Sequence, residues 1–469
     1  MLSLILTLVS TGYASGYYYP DLGVTSLSRG GANVAGVNDL TALWYNPAAL
    51  TRIRALQIDL DVTGVHQAAS FLRASETGVD AEGQSVVTNY EKVENTAPVF
   101  PVPAVGIAHN FGLDDFTFAL GFYTPLAPPI HTFDEAGAQR YNLVSNQMIQ
   151  ASYGPAVGWS VNDWLSVGLG VTGSILSVKQ DMDVHMFIPE LAGFEIAQFG
   201  DPAGDVGFAI EAKDNFLLSA NAGVLIEPKD SFWALGFSIR PPVQYEAQGT
   251  IVADFSNHYL YAPNDPAKKI IMDESADSDM TLTVNMPLII KSGLLVRPAE
   301  NLEIEASFVW EGWSSNEALV VEGVEFLVDT SIQPVEVVTD VELPAGFQDA
   351  WSVRLGGTYT LNDTLSLSGG GLYEVSAVPS SSLGLGQIDM DKFGYGLGVS
   401  WALSKQVELN ASFGQLFFQT AEVSDSEVEA VMVNAISGEV TEDGAIVGNG
   451  VYTSDVLLGG LGLSWAFGQ

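Results

Sequence analysis

The feature that most constrains this chain is the period of its apolar residues. Residues 56–62 alternate apolar and polar side chains with period two, and residues 302–308 and 407–413 do the same. Alternation of this kind is typical of a strand with one apolar face and not of a helix. Hydrophobic residues make up 47% of the chain, yet no run of 18 or more apolar residues occurs. The sequence therefore predicts no helical membrane span.

Two further patterns favour a membrane barrel over a soluble sandwich. Acidic residues stand in the middle of strands, where a watery lumen would solvate them but a dry core would not. Very short turns at 161–164, 298–301, 361–364 and 403–406 alternate along the chain with long acidic connections. Short turns at one end and long loops at the other are typical of outer-membrane barrels.

The candidate strands can be counted. An even number is what closes an antiparallel bacterial barrel. We predict an all-β fold, a fourteen-stranded antiparallel transmembrane β-barrel, with strands at 56–66, 102–111, 116–124, 147–161, 164–180, 217–227, 232–251, 280–297, 302–322, 350–361, 364–376, 392–404, 406–423 and 452–467.

The net charge and the N-terminal residues give information about the partners and the cellular location of the protein. The formal net charge of −39 excludes nucleic acid as a partner, since phosphate contacts need Lys and Arg. We interpret the acidity as a solvated surface and prefer this to a dedicated cation site. Residues 1–9 are mostly apolar and small residues follow, so residues 1–15 are predicted to be a signal peptide, cleaved after Ala14.

The sequence contains no recognisable catalytic, metal-binding or nucleotide-binding motif. The five histidines show no metal-ligand spacing, cysteine is absent, and there is no G-x-S-x-G elbow. The G-x-G-x-x-G match at 168–173 lies within an uninterrupted strand alternation, which is the wrong context for a nucleotide loop. We predict that the protein is not an enzyme and has no cofactor or metal, although distant strands could still assemble a site.

Several motifs occur in order along the chain. Arg29-Gly30-Gly31-Ala32 and Asp39 precede Asn46-Pro47-Ala48, and later Asn285-Met286-Pro287 leads a strand. Asp389-Met390-Asp391-Lys392-Phe393 follows near the end of the chain. With these motifs the chain resembles the FadL/toluene-transporter (OmpP1/FadL/TodX) family over essentially its whole mature length, although Lys392 stands where the family usually has Arg.

The resemblance implies a function and a domain division. Residues 16–52 would be a hatch that plugs the barrel formed by 53–469, and the cargo would be apolar. We expect a monomer in the Gram-negative outer membrane, in contact with its lipid and lipopolysaccharide, that takes up hydrophobic small molecules such as long-chain fatty acids or aromatic hydrocarbons. The alternatives are a barrel that anchors an enzyme or adhesin, neither of which needs a hatch, and a general porin with a charged constriction.

The resemblance also implies sites in the hatch and in the wall. The hatch motif Asn46, Pro47 and Ala48 would face a gap in the barrel wall; the alternative is an ordinary Asx-Pro turn. The predicted lateral opening lies in the third strand, where prolines break the ladder; the alternative is a proline-rich loop that begins early. Its residues are Gly121, Phe122, Pro125, Pro128 and Pro129.

Two further predictions concern contacts with the cargo. The apolar loop after the fifth strand, with Phe187, Leu191, Phe194 and Phe199, would capture it at the outer surface; the alternative is a loop with its own small core. Lys179, near the end of the fifth strand where the family carries basic residues, would contact a carboxylate head group. Its parity matches the lipid-facing Leu165, so this role needs a bulge.

Overall fold

The structure is a computed structural model. It describes residues 22–79, 84–126, 130–187, 199–256, 260–262, 265–270, 275–315, 318–328, 335–344, 346–434 and 444–467. Within these ranges no helix is long and apolar enough to cross a membrane.

Fourteen antiparallel strands form one closed barrel, which confirms the predicted fold. Closure is complete because the first strand pairs with the last from Leu56 opposite Phe467 to Arg73 opposite Gly450. Several strands consist of two segments. The strands are β1 (Leu56–Arg73), β2 (Phe100–His109), β3 (Phe116–Leu126), β4 (Ser145–Asn162), β5 (Leu165–Phe187), β6 (Asp205–Ile226), β7 (Trp233–Arg240 and Val243–Asp254), β8 (Ser275–Met286 and Ile289–Ala299), β9 (Leu302–Glu311 and Ala318–Val328), β10 (Val335–Pro344 and Ala350–Asn362), β11 (Leu365–Glu374), β12 (Lys392–Ala402), β13 (Val407–Phe418) and β14 (Gly450–Phe467).

The side-chain alternation is the inverse of that in a soluble protein. On β1, Leu60 and Val62 face outward and are 44% and 47% exposed, whereas Asp59 and Thr63 face inward and are buried. Leu461 on β14 and Leu355 on β10 are likewise apolar and exposed. An apolar outer face is stable only against lipid, so the barrel spans a membrane.

The two ends of the barrel differ. One end has short turns, such as the one from Asn162 to Leu165, and the exposed rings of Phe116 and Trp159 stack there at 5.8 Å. The other end has the long connections, which carry short additional strands. By the usual asymmetry of such barrels, the short turns are periplasmic and the long loops extracellular. The additional strands are Glu76–Val79, Ser85–Thr88, Val93–Glu94, His131–Thr132, Leu260–Ala262, Asp265–Ile270, Ala421–Val423 and Met432–Asn434.

Several strands break at mid-height. Pro241-Pro242 divides β7 and Pro287-Leu288 divides β8, and Trp313–Ser315 form a 3-10 turn after the first segment of β9. Proline cannot donate to a ladder, which explains the first two breaks. We call the part of the barrel toward the short turns the lower half and the part toward the long loops the upper half.

Residues 22–53 contribute no strand and lie inside the lower half. They form the helices α1 (Val24–Ser28) and α2 (Ala42–Tyr45) and a 3-10 helix (Pro47–Arg52). Nearly all of their side chains are buried. We refer to residues 22–53 as the hatch.

Candidate functional site

The hatch lies so close to the barrel wall that glycines are required there. A Cβ at Gly223 of β6 would lie 2.1 Å from Oδ1 of Asn46, and one at Gly168 of β5 would lie 2.2 Å from the carbonyl carbon of Pro47. Real side chains do not approach so closely. The hatch can pack against the inner face of these strands because glycine leaves no side chain there.

Asn46, Pro47 and Ala48 fasten the hatch to β5 and β6. Nδ2 of Asn46 donates to the carbonyl oxygens of Val34 and Val224, both at 3.1 Å, and Oδ1 accepts from the amide of Ala48 at 3.2 Å. Asn46 thus caps the 3-10 helix that Pro47 begins. The expectation that this motif faces the wall gap predicted in the third strand is wrong, because Asn46 and Pro47 pack on β5 and β6 instead.

Leu43 is one of the hatch residues that face β3. A Cβ at Gly121 would lie 2.2 Å from Cδ1 of Leu43, and Leu40 approaches Gly106 of β2 in the same way. The start of α2 and the residues just before it therefore cover the inner side of β2 and β3.

Acidic side chains of the wall hold the hatch backbone. The carboxylate of Glu305 on β9 is fully buried and accepts from the amides of Val34, Ala35 and Gly36 at 2.6, 2.9 and 2.7 Å. Asp59 on β1 accepts from the amide of Leu40 at 2.8 Å. The expectation that these mid-strand acids face water is wrong, because the hatch amides replace water as their donors.

Two cations lie where the hatch meets the upper half. The guanidinium carbon of Arg240 on β7 is 4.4 Å from the ring centre of Trp44, and Nζ of Lys291 on β8 is 4.0 Å from it. Arg240 also donates to the hydroxyl of Tyr123 on β3 at 3.2 Å. All four side chains are buried. Arg240 therefore joins the hatch to the strand on the far side of the lumen.

The ladder between β2 and β3 ends early. Pairing runs from His109 opposite Phe118 to Ala104 opposite Tyr123 and then stops, although β2 continues to pair with β1 as far as Phe100. The β3–β4 register also shifts between Tyr123 and Leu126, the stretch that contains Pro125. The wall is therefore incomplete beside the hatch.

A crevice lies at this gap. The crevice is narrow, since the space inside it that a water-sized molecule can occupy is only about 10 Å³. Pro101 and Pro103 of β2 and Pro125 of β3 lack the donors that would close the ladder. The residues that line the crevice are Leu22, Gly23, Trp44, Thr63, Val65, Val102, Thr124 and Pro125.

The inner face of the upper half carries many apolar side chains, beside a smaller group of paired buried charges formed by Arg354, Glu374, Asp389 and Lys392. A continuous cluster of buried hydrophobic side chains extends from β1 to β14, and it includes residues of the loop between β11 and β12 that reach into the lumen. We call it the apolar cluster. Its members include Phe71, Leu176, Tyr245, Met280, Leu282, Val284, Met286, Trp313, Phe347, Leu385, Met390 and Tyr452.

The chain was compared with known proteins. The model of the family described as "Outer membrane protein transport protein (OMPP1/FadL/TodX)" matches residues 5–454. The chain belongs to this family. Membership confirms the predicted family, the outer-membrane location and the role in transport.

Individual relatives of this FadL/TodX chain are distant. It is 22% identical to a "Long-chain fatty acid transport protein" of Escherichia coli O6:H1, with 91% of this chain and 92% of that protein covered. A Pseudomonas aeruginosa FadL homologue has a TM-score of 0.72 at 16% identity, covering 97% of this chain and 100% of that one. The Pseudomonas putida toluene transporter TodX has a TM-score of 0.65 at 15% identity, covering 96% and 99%. These two structures show the shared fold.

The five residues predicted to form the lateral opening of this family member do not all lie at the gap. Gly121 and Phe122 stay paired with both β2 and β4, so they lie below the break and not in it. Pro125 lines the crevice. Pro128 and Pro129 lie outside the described residues.

Lys179 does not face the lumen. It lies on the outer surface of β5, is about half exposed, and its ammonium contacts the carboxylate of Glu211 on β6. No bulge on β5 turns it inward. The prediction that it contacts a head group in the lumen is therefore corrected.

Only part of the predicted capture loop can be placed. Leu191 and Phe194, and the side chain of Phe187, lie outside what the structure describes. Phe199 packs on Tyr141 at 4.4 Å and on His185 at 5.5 Å between their ring centres. Tyr141 and Phe199 belong, with Ala430 and Val447, to a small core of the extracellular loops. This placement fits the alternative of a loop with its own core.

Sequence reasoning missed Arg240 and Lys291. Both stand on strands whose inward side changes at a proline, so their parity could not be read from the neighbouring segment. Their rarity was the available signal, because only 17 residues of the chain are Lys or Arg. A basic residue in the middle of an apolar strand needs a partner or a ligand.

Proposed function

We propose that this transporter takes up amphipathic molecules with a long apolar tail and an anionic head group, as long-chain fatty acids have. The tail would lie along the apolar cluster of the upper half and the head group would point down toward the hatch. Burial of a tail there would contribute about 0.8 kcal/mol for each CH₂ group removed from water.

The observation that carries this proposal is the position of Arg240. It lies directly below the apolar cluster, because the next inward residues along β7 are Tyr245 and Ala247. Its contacts are the Trp44 ring and the Tyr123 hydroxyl, and within the described part of the chain it forms no ion pair with a carboxylate. A buried guanidinium with only neutral partners favours an incoming carboxylate, which it can bind through two hydrogen bonds.

Release would follow sideways, through the gap between β2 and β3. The crevice at this gap adjoins Trp44, the hatch residue beneath Arg240. An exit there would deliver the cargo into the outer leaflet and spare it the aqueous periplasm. Hatch atoms, and not lipid, face the unpaired backbone at the gap, which makes such a gap tolerable within a membrane.

Uncharged aromatic hydrocarbons are the second candidate. The upper half carries the apolar cluster, bases are scarce, and one structure of the same fold is that of a toluene transporter. The two candidates differ in whether uptake of the cargo requires the positive charge of Arg240.

The test is uptake of oleate and of toluene by cells that lack a transporter of their own. We expect Arg240→Gln to weaken oleate uptake by about tenfold or more, since a charge-assisted hydrogen bond contributes about 1.5–3 kcal/mol. Lys179→Gln, on the outer surface, is the matched control and should leave uptake unchanged. Equal oleate uptake by wild type and Arg240→Gln would contradict the head-group assignment. Transport of toluene but not oleate by the wild type would favour the second candidate.

A crosslink tests the exit. The chain has no native cysteine, so Leu43→Cys with Gly121→Cys would tie the hatch to β3 beside the crevice. Leu27→Cys with Gly414→Cys would tie it to β13, away from the crevice, where Cδ1 of Leu27 approaches Gly414 in the same way. We expect the first crosslink to stop uptake and the second to permit it. Full uptake through the first crosslinked protein would rule out lateral exit.

A further inference from the structure

Trp44 lies between two parts of the proposed pathway. Its ring meets Arg240 and Lys291 on one side of the lumen, and it lines the crevice beside β2 and β3. Its backbone carbonyl also accepts from Nζ of Lys291 at 3.4 Å. No other described residue is both a partner of Arg240 and a part of that crevice.

Arg240 holds both edges of the gap at once. Through the Trp44 ring it holds the hatch, and through the Tyr123 hydroxyl it holds the last residue of β3 that pairs with β2. Trp44 and Tyr123 also contact each other, with ring centres 6.1 Å apart. The three side chains therefore form one clamp, which we call the Trp44 clamp: Trp44, Tyr123 and Arg240.

An anion at Arg240 would compete with this clamp. A carboxylate can accept two parallel charge-assisted hydrogen bonds from a guanidinium and carries the opposite charge, whereas the neutral Tyr123 hydroxyl accepts only one. A guanidinium turned toward a carboxylate leaves the phenol and the aromatic ring with weaker contacts. An uncharged molecule with the same tail offers no competitor, so the clamp would stay closed beneath it.

We propose that Trp44 couples an anionic head group held at Arg240 to the crevice between β2 and β3, which makes the transporter selective for anionic amphiphiles over uncharged molecules of equal tail. This inference rests on the proposed function, because it requires the head group to reach Arg240. A ligand shifts such an equilibrium only through a difference in its affinity for the two states. The carboxylate provides that difference and an alcohol does not.

The experiment compares oleate with oleyl alcohol, which have the same tail and differ in the head group. The readout is the rate at which Leu43→Cys and Gly121→Cys crosslink in the purified, folded protein. We expect oleate to slow the crosslink by about fivefold or more, a coupling of ordinary size, and oleyl alcohol to leave the rate unchanged.

Variants of Trp44 decide whether the ring carries the coupling. In Trp44→Leu we expect oleate and oleyl alcohol to give the same crosslinking rate and the oleate-to-alcohol uptake ratio to approach one. Trp44→Phe keeps a ring face for the cation and should retain much of the difference. A ring that only filled space would affect both ligands alike, so the ratio isolates the coupling.

Equilibrium binding of oleate separates the two proposals. The coupling is supported if Trp44→Leu binds oleate as tightly as the wild type does but crosslinks at the same rate with oleate and with oleyl alcohol. Oleate binding with an unchanged difference in Trp44→Leu would overturn the coupling alone. Failure of the wild-type protein to bind oleate would overturn the proposed function, and this inference with it.

Discussion

The two halves of the lumen are filled by different kinds of interaction. In the lower half, wall carboxylates accept from hatch amides at fixed distances, as Glu305 does from three consecutive residues. In the upper half, apolar side chains such as Val284 and Leu282 pack in the apolar cluster, and the buried charges of Glu374 and Lys392 pair with each other. Directional bonds specify one seated arrangement, whereas apolar contact accepts tails of different shape. From this difference we expect closure of the lumen to depend on the lower half and recognition of the cargo on the upper half.

Removal of the hatch should have the largest effect. Deletion of residues 22–48 leaves every barrel strand and its pairing intact, so the barrel should still resist SDS until it is boiled. The vacated lower half should then conduct ions, which planar-bilayer recordings of deleted and intact protein would show. Unchanged conductance in a correctly folded deletion variant would mean that the hatch does not close the lower half.

Neutralisation of Glu305 should have the next largest effect. Glu305→Gln keeps the shape of the side chain but removes the charge that the hatch amides and Arg29 share. Removal of one partner of a buried ion pair costs about 3–5 kcal/mol. We expect brief openings in single-channel recordings. Glu303→Gln, at a partly exposed position two residues away, is the control and should open far less often.

A polar group in the upper half should weaken recognition and leave closure unchanged. Val284 is fully buried in the apolar cluster, and Thr has nearly its shape. We expect Val284→Thr to weaken oleate binding by about tenfold, because a hydroxyl without a partner is costly against an apolar tail. Ion conductance should stay at the wild-type level. Leu294→Thr, on the lipid face of the same strand, is the control. A rise in conductance in Val284→Thr would show that the halves are not separate.

The sequence predicted the wall far better than its contents. All fourteen strands were located, because period-two alternation is a local signal that lipid enforces on the outer face. The β6 strand was predicted to begin at 217, and it begins at Asp205. Its first residues carry Glu211 and Lys213 outward, beyond the apolar band, so the membrane alternation is absent there.

The site depends on contacts between residues far apart in the sequence. Glu305 meets Val34 across 271 positions, and Arg240 meets Tyr123 across 117. No local pattern encodes such pairs. The position of Lys179 near the end of β5 is a local signal, and it does not show that the side chain faces outward. The inward side of β7 changes at Pro241-Pro242, so the burial of Arg240 depends on where the strand is divided.

The smallest effect we predict concerns the rim of the upper half. His131 lies between Gln67 of β1 and Asn146 of β4, and its ring nitrogens are 2.8 and 2.9 Å from their side-chain oxygens. Burial lowers the pKa of His131 to about 4 from its ordinary 6.5. A neutral ring donates only one of these hydrogen bonds, so one amide must present its nitrogen instead. Gln67 can do so, because its other partner is the hydroxyl of Ser454, which can donate as well as accept.

The direction of the pH effect follows from the lowered pKa. In the loosened loop His131 takes up a proton below about pH 6.5, whereas in the folded loop it does so only near pH 4. The folded loop therefore loses stability relative to the loosened one as the pH falls from 6.5 toward 4, and this stability is fully present above pH 6.5. At pH 6 the loss is about 1 kcal/mol. We therefore expect amides of residues 130–144 to exchange about fivefold faster at pH 6 than at pH 8, once intrinsic rates are divided out. His131→Gln, which does not titrate, should remove this difference, and its persistence in that variant would assign the pH effect to another group.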